Sequence, residues 1–206
     1  MAQYFEIHPE NPQLRLIRRA VEIIRTGGVA VYPTDSSYAI GCHIGDKQAL
    51  DAIRRIRQLD EKHNFTLLCK DMAQVSNFTK VDNDAYRLIK ALTPGPFTFI
   101  LDATREVPRR LQHAKKKTIG VRISGHPVVQ LLVEELEEPL LSSTLILPGE
   151  KTAMSDPYEI RSSLERELEL IIDSGVVEHE DTTVIECTRY GIEIIRQGKG
   201  RAPMLE

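Results

Sequence analysis

Short β-branched runs and stretches of helical period alternate along nearly the whole chain, and few architectures accept that alternation. A helix hides a stripe and a strand hides a face, so elements that keep changing type must assemble as a sheet with helices laid on it. The first helical stretch carries Leu16, Ile17, Ala20, Val21, Ile23 and Ile24 and stops at Gly27-Gly28, with Asn11-Pro12 expected as its cap and first turn. Residues 29–32 read as a strand ended by Pro33, 34–37 as a polar turn, and 38–43 as the returning strand. Asp46 caps a helix built on Ala49, Leu50, Ile53 and Ile56, with Arg54, Arg55 and Arg57 in the C-terminal half that the helix dipole favours for cations. Further strands are expected at 65–69, 97–101, 118–123, 140–144, 170–173, 183–187 and 192–196. Further helices are expected at 82–92, at 126–137, and from Asp156-Pro157 to near 169. The expectation is an α/β (α+β) fold, a mixed sheet covered by helices.

With no repeat, linker or low-complexity tract, 206 residues read as a single domain over 1–206. Charged residues make up 28% and hydrophobic residues 41%, enough apolar material for a core, so disorder is not expected. No basic region followed by an apolar stretch opens the chain and no run of 18 apolar residues occurs, which points away from secretion and membranes and toward the cytoplasm. Cys42, Cys69 and Cys187 form no C-x-x-C pair and read as buried thiols. The six histidines lack metal-ligand spacing, so no zinc or other protein-bound metal is expected. The net charge of -3 is unevenly placed: Arg105, Arg109, Arg110, Lys115, Lys116 and Lys117 face a single acid, Glu106, over 105–117. That run reads as a solvated face or as an electrostatic footprint for phosphate or RNA.

Neither a Walker loop nor a G-x-G-x-x-G turn is present, and no G-x-S-x-G elbow supports a triad hydrolase. Four segments instead place hydroxyls and guanidiniums at strand ends, where open α/β sheets gather ligands. They are Tyr32-Pro33-Thr34-Asp35-Ser36-Ser37-Tyr38-Ala39-Ile40-Gly41-Cys42, Thr93-Pro94-Gly95-Pro96-Phe97-Thr98, Thr118-Ile119-Gly120-Val121-Arg122 with His126-Pro127, and Pro139-Leu140-Leu141-Ser142-Ser143-Thr144. In this order the set resembles the YrdC/TsaC family of threonylcarbamoyl-AMP synthases, from about residue 10 to residue 200. The wording of 60–69, Val107-Pro108-Arg109-Arg110 and Leu147-Pro148-Gly149 resembles the YciO branch of that family.

The resemblance implies a twisted, mostly open sheet around a deep basic cavity. It also implies a reaction that joins L-threonine, bicarbonate and ATP into threonylcarbamoyl-AMP and pyrophosphate, toward the modification of tRNA. Carried over by position, Thr34, Arg122, Ser142 and Thr182 are the expected threonine-binding set, and Arg55, Arg57, Thr118, Thr144 and Arg196 the expected ATP-facing set, with Arg57 catalytic. Mg²⁺ is expected with the triphosphate. The chemistry needs no covalent nucleophile: threonine's amine becomes a carbamate, whose carboxylate attacks the α-phosphorus while guanidiniums offset the growing charge. Plainer roles stand beside these. Thr34 can cap its own turn, and a half-buried Arg122 needs an acid partner or a ligand.

Two departures weaken the match. The family's Lys-x-Arg pair falls here on Arg57-Gln58-Leu59, and its Ser-x-Asn signature on Thr144-Leu145-Ile146, so one cation and one amide are replaced by apolar side chains. Arg55, Lys62 or the run 115–117 are candidates to substitute. Three outcomes stay open: a weak synthase, a related carbamoyl or adenylyl transfer on another substrate, or a tRNA- or duplex-RNA-binding protein that uses Arg109, Arg110, Lys115, Lys116 and Lys117.

Overall fold

In the computed structural model, which describes residues 1–205, the strands are β1 (Gln3–Glu6), β2 (Ala30–Pro33), β3 (Tyr38–His43), β4 (Thr66–Leu68), β5 (Phe97–Asp102), β6 (Thr118–Arg122), β7 (Leu140–Thr144), β8 (Leu170–Asp173), β9 (Thr183–Thr188) and β10 (Gly191–Arg196). The helices are α1 (Leu14–Arg25), α2 (Lys47–Arg57), α3 (Met72–Phe78), α4 (Asn83–Leu92), α5 (Pro127–Leu136) and α6 (Pro157–Leu164). All ten strands join one open, mixed sheet in the order β1-β8-β2-β3-β7-β4-β6-β5-β9-β10. The pairs β1/β8, β2/β8, β4/β6 and β5/β9 are parallel and the others antiparallel.

Period-2 alternation decides what each face of this sheet does. One face is apolar along its whole width, with Val31, Ile40, Leu67, Val121, Phe99 and Ile185 buried in a core that includes Ile53 of α2, Val75 of α3, Ile89 of α4 and Ile160 of α6. The other face is apolar only toward β2 and β8, where Tyr32, Ala39, Leu68, Leu140 and Leu170 meet α1 and α5. From Ser142 onward that face changes to hydroxyls and glycine. The register sets Ser142 beside Thr66, Thr66 beside Gly120, Gly120 beside Ile100, and Ile100 beside Glu186. Two helices cover half of the second face, and the remaining half forms the floor of a cavity.

Local signals account for most boundaries. Asp46, Asp71, Asp82 and Asp156 each accept a backbone N–H of the first turn that follows, and Pro157 stands just inside α6. Three expectations need correction. The cap of α1 is Gln13, whose carbonyl accepts from Leu16 and Ile17, because the His8 ring holds residues 8–11 in a turn by accepting from Glu10 N and Asn11 N. Helix α6 ends at Leu164 rather than near 169, since Glu169 has to reach Val29, whose N–H it accepts at 2.7 Å, to start β8 beside β2. Strand β1 and helix α3 fall in segments where no element was expected.

Among the described residues no helix is long and apolar enough to cross a membrane. The three cysteines are buried and unpaired, and burial pushes the thiols of Cys42 and Cys187 up to about 12.

Candidate active site

The uncovered half of the sheet forms a cavity of about 490 Å³, within the range of small-molecule sites. Its floor carries Ser142 and Thr144 of β7, Thr66 of β4, Thr118 and Arg122 of β6, and Thr98 of β5. Its rim carries Ser36 and Ser37 from the β2–β3 turn, Leu111, His113 and Lys116 from the segment before β6, and His179 to Thr182 before β9. Of the expected residues, Arg122, Ser142, Thr182, Thr118, Thr144 and Arg196 all line this one cavity.

Arg122 is 8% exposed, and burial works against its charge while Asp35 supports it. Its Nη2 donates to Asp35 Oδ1 at 2.6 Å and to Ser36 Oγ at 3.2 Å, while its Nε is buried without an acceptor. Asp35 has a second anchor, since its Oδ2 accepts from Gly125 N at 2.8 Å. A guanidinium with five donors is thus held by one side, with donor capacity left over. Ser142 Oγ accepts from the Tyr32 hydroxyl at 2.7 Å, and burial pushes that phenol well above its ordinary range, which keeps it a donor. The hydrogen of Ser142 is therefore free for a ligand. Gly41 makes this bond geometrically feasible: a Cβ there would lie 2.3 Å from Tyr32 Oη and 2.5 Å from Leu141 O. Thr182 and Thr98 share a hydrogen bond at 2.8 Å, and Arg196 donates to the Thr182 carbonyl through Nη2 at 3.0 Å.

Thr34 is placed differently from expectation. Its hydroxyl donates to Ser37 O at 2.7 Å and accepts from Ser36 N and Ser37 N at 3.2 Å, so it caps its own turn and stands behind Ser36 and Ser37 rather than on the wall. The helix geometry separates the arginines of α2, because residues two apart lie about 200° round the axis. Arg55 points away, into a depression with Gly27, Gly28 and Arg166, and does not reach the cavity. Arg57 turns toward β7, where Nε donates to Ile146 O at 3.0 Å and Nη1 to Ser143 Oγ, and does not itself line the cavity. Lys62 is exposed and also stands off the wall.

The expected basic character is also corrected. Lys116, Arg122 and Arg196 line the cavity, but so do Glu180, Asp181 and Glu186, and each cation has an acid partner. Arg122 pairs with Asp35 at 2.6 Å, Lys116 with Glu186 at 3.2 Å, and Arg196 with Asp181 at 3.5 Å. The basic run 105–117 is divided: Lys116 faces the cavity, Arg110 donates to Gly45 O, and Arg105, Arg109 and Lys117 line a separate depression. Among the described residues no three His, Cys, Asp or Glu side chains are grouped to hold a metal ion.

Thr66, His179, Asp181 and Glu186 were not anticipated, and Thr98 was expected only as part of a strand-end segment, although a signal was present. In β5 and β9 the sequences Phe97-Thr98-Phe99 and Thr183-Val184-Ile185-Glu186 alternate, and one polar partner in each alternation stands on the cavity face.

Comparison with known proteins agrees with this architecture. The Sua5/YciO/YrdC family model, described as telomere recombination, matches residues 22–198. This chain belongs to the Sua5/YciO/YrdC family. An uncharacterised protein of Escherichia coli (strain K12), YciO, is 54% identical over 200 residues, 97% of each chain. The crystal structure of E. coli YciO matches with a TM-score of 0.94 at 52% identity over the full length of both chains. A threonylcarbamoyl-AMP synthase of Coxiella burnetii (strain RSA 331) is 34% identical over 137 residues, 65% of this chain and 72% of its own. The crystal structure of P. abyssi Sua5 complexed with L-threonine has a TM-score of 0.87 at 24% identity, covering 96% of this chain and 58% of that one, which is a likeness of fold.

Proposed function

We propose that this family member is a slow threonylcarbamoyl-AMP synthase, converting L-threonine, bicarbonate and ATP to threonylcarbamoyl-AMP, pyrophosphate and water. The observation that carries the reading is that Arg122, Ser142, Thr182, Thr118, Thr144 and Arg196 line one cavity. The name of the Coxiella relative and the L-threonine held by P. abyssi Sua5 support it.

In this reading Nη1 of Arg122, which has no acceptor among the described residues, and the free hydrogen of Ser142 hold the threonine carboxylate, with Thr182 beside them. Arg196 and Lys116 meet the phosphates once they leave Asp181 and Glu186, and Thr118 and Thr144 supply neutral donors. No three carboxylates are grouped as a metal site among the described residues, but a magnesium ion that arrives with the triphosphate commonly takes only one or two, so Asp181 or Glu186 would contact it, and it would supply charge neutralisation on the triphosphate. The carbamate oxygen forms a bond to the α-phosphorus, the bond to the bridging oxygen breaks, and pyrophosphate leaves. The protein contributes positioning and preorganised donors. Slowness follows from Leu59 and Ile146, which bring no polar group where the family's motifs place a cation and an amide, since one lost donor lowers rate by about 10²–10³.

Pyrophosphate release from ATP that requires both threonine and bicarbonate is the expected result. Release that ignores threonine points to a related carbamoyl or adenylyl transfer and removes this substrate assignment. A second reading, binding of duplex RNA or tRNA, is favoured by Arg105, Arg109 and Lys117 lining one depression. It requires salt-sensitive binding whose slope shrinks when Arg109 and Lys117 are neutralised.

A further inference from the structure

Three consecutive hydroxyls, Ser142, Ser143 and Thr144, close β7, and pleating sends the middle one to the face opposite its neighbours. Ser143 stays on the cavity wall all the same. Strand β4 begins at Thr66, opposite Ser142, so β7 has no β4 partner beyond Ser142, and Asn64, Phe65 and Ser143 line the cavity at this gap. Two further side chains converge there. His63 Nε2 lies 2.9 Å from Ser143 Oγ, and Arg57 Nη1 donates to the same oxygen. None of this is used by the synthase chemistry.

The direction of the hydrogens follows from the donor inventory. A guanidinium only donates, so Ser143 Oγ accepts from Arg57, and its own hydrogen is left for His63 Nε2. His63 can accept because burial and the neighbouring Arg57 hold it down to about 4, neutral at physiological pH. Its ring is fixed edge-on against Phe65 at 5.0 Å. A serine hydroxyl that accepts from a fixed cation and lies 2.9 Å from a neutral imidazole has the contact geometry of a nucleophile and its base.

We infer that Ser143 is a catalytic nucleophile with His63 as its general base and Arg57 as the positioning residue, and that it hydrolyses an acyl or carbamoyl adenylate held in the same cavity. Ser143 Oγ bonds to the carbonyl carbon and passes its proton to His63 Nε2. The bond from that carbon to the phosphate oxygen breaks, and AMP leaves with the electron pair. His63 releases its proton to solvent and then takes one from water as the water oxygen attacks the ester carbonyl. That proton goes to Ser143 Oγ as the ester bond breaks, freeing the acid. Water is the only co-reactant. An adenylate suits this cavity because the proposed synthase chemistry leaves one there, and its single phosphate needs fewer cations than ATP does, beside wall cations that each have an acid partner. The choice of adenylate rests on the synthase reading, whereas the nucleophile does not.

The test exposes the whole chain to a fluorophosphonate probe and maps the label by peptide mass spectrometry. A label at Ser143 is expected, absent in Ser143→Ala and slowed at least about 100-fold in His63→Gln, the usual range for a general base. Circular dichroism and thermal melts check whether both variants are folded. No label at Ser143 in the folded wild type, or an unchanged rate in folded His63→Gln, overturns the nucleophile; if His63→Gln does not fold, labelling of the wild type still decides. In a second arm, threonylcarbamoyl-AMP made by a separate synthase is added, and wild type is expected to release AMP faster than the spontaneous rate, with Ser143→Ala returning to it. A labelled Ser143 without faster AMP release overturns the adenylate as substrate and leaves the synthase reading to its own pyrophosphate assay.

Discussion

Asp35 joins Arg122 to the loop after β6, accepting from the guanidinium at 2.6 Å with one oxygen and from Gly125 N at 2.8 Å with the other. Both side chains are mostly buried, so each is the chief neutraliser of the other. Removing one partner strands a buried charge, which costs about 3–5 kcal/mol. Asp35→Asn is therefore expected to lower the urea midpoint strongly, and to weaken threonine binding as the guanidinium moves. Combining it with Arg122→Met should recover part of the loss, with a coupling of about 0.5–3 kcal/mol in a double-mutant cycle. Additive effects would show that the pair does not act as a unit.

The contact between Tyr32 and Ser142 depends on the missing side chain at Gly41. Gly41→Ala places a methyl 2.3 Å from Tyr32 Oη and 2.5 Å from a backbone carbonyl, and neither can yield without moving β2 or β7. Overpacking of this kind costs about 1–3 kcal/mol. Tyr32→Phe removes only the hydroxyl and should cost about 1 kcal/mol. Thermal melts are expected to rank wild type above Tyr32→Phe above Gly41→Ala. The reverse order of the two variants would mean that the hydroxyl matters more than the space it occupies.

These two relationships also mark what the sequence could and could not reveal. Strand β7 was expected at 140–144 and forms there, and the turn at 34–37 was expected between β2 and β3, because proline, hydroxyl runs and β-branched residues act locally. Strand β1 was not expected: Gln3-Tyr4-Phe5-Glu6 is too short to show a period and exists by pairing with β8, more than 160 residues away. The site was legible wherever a residue type alone demanded an explanation, as with Arg122 in an apolar strand. It was illegible where direction decided the role. Arg55 and Arg57 look alike in sequence, yet the helix turns them to opposite sides, and Thr34 looks like a ligand residue until its hydroxyl is seen inside the turn. Acid partners such as Glu186 for Lys116 arise only from the sheet order.

That last pairing makes a prediction about anion binding. Lys116 is 59% exposed along its side chain and its bridge to Glu186 is a near-surface one, worth about 0.2–1 kcal/mol. Glu186→Gln frees the ammonium and removes a negative charge from the wall that phosphates approach. ATP affinity measured by calorimetry without magnesium is expected to improve about two- to fivefold, an amount consistent with that energy. Unchanged or weaker binding would place the phosphates elsewhere in the cavity.

His63 gives the fold a pH dependence whose sign can be worked out. Its ordinary value is 6.5, and in the folded chain burial first, then Arg57, holds it down to about 4. Between those values the unfolded chain binds a proton that the folded chain refuses, so stability falls as pH drops from about 6.5 and the loss levels off below about 4. His126, also held low by burial, adds to the fall in the same direction. His63→Gln keeps a polar side chain without titrating there. Urea midpoints measured at intervals from pH 7 to pH 4.5 should therefore decline less steeply in His63→Gln than in wild type, the two curves separating below about pH 6.5. Parallel curves over that range would mean that His63 is protonated in the folded chain as readily as in the unfolded one.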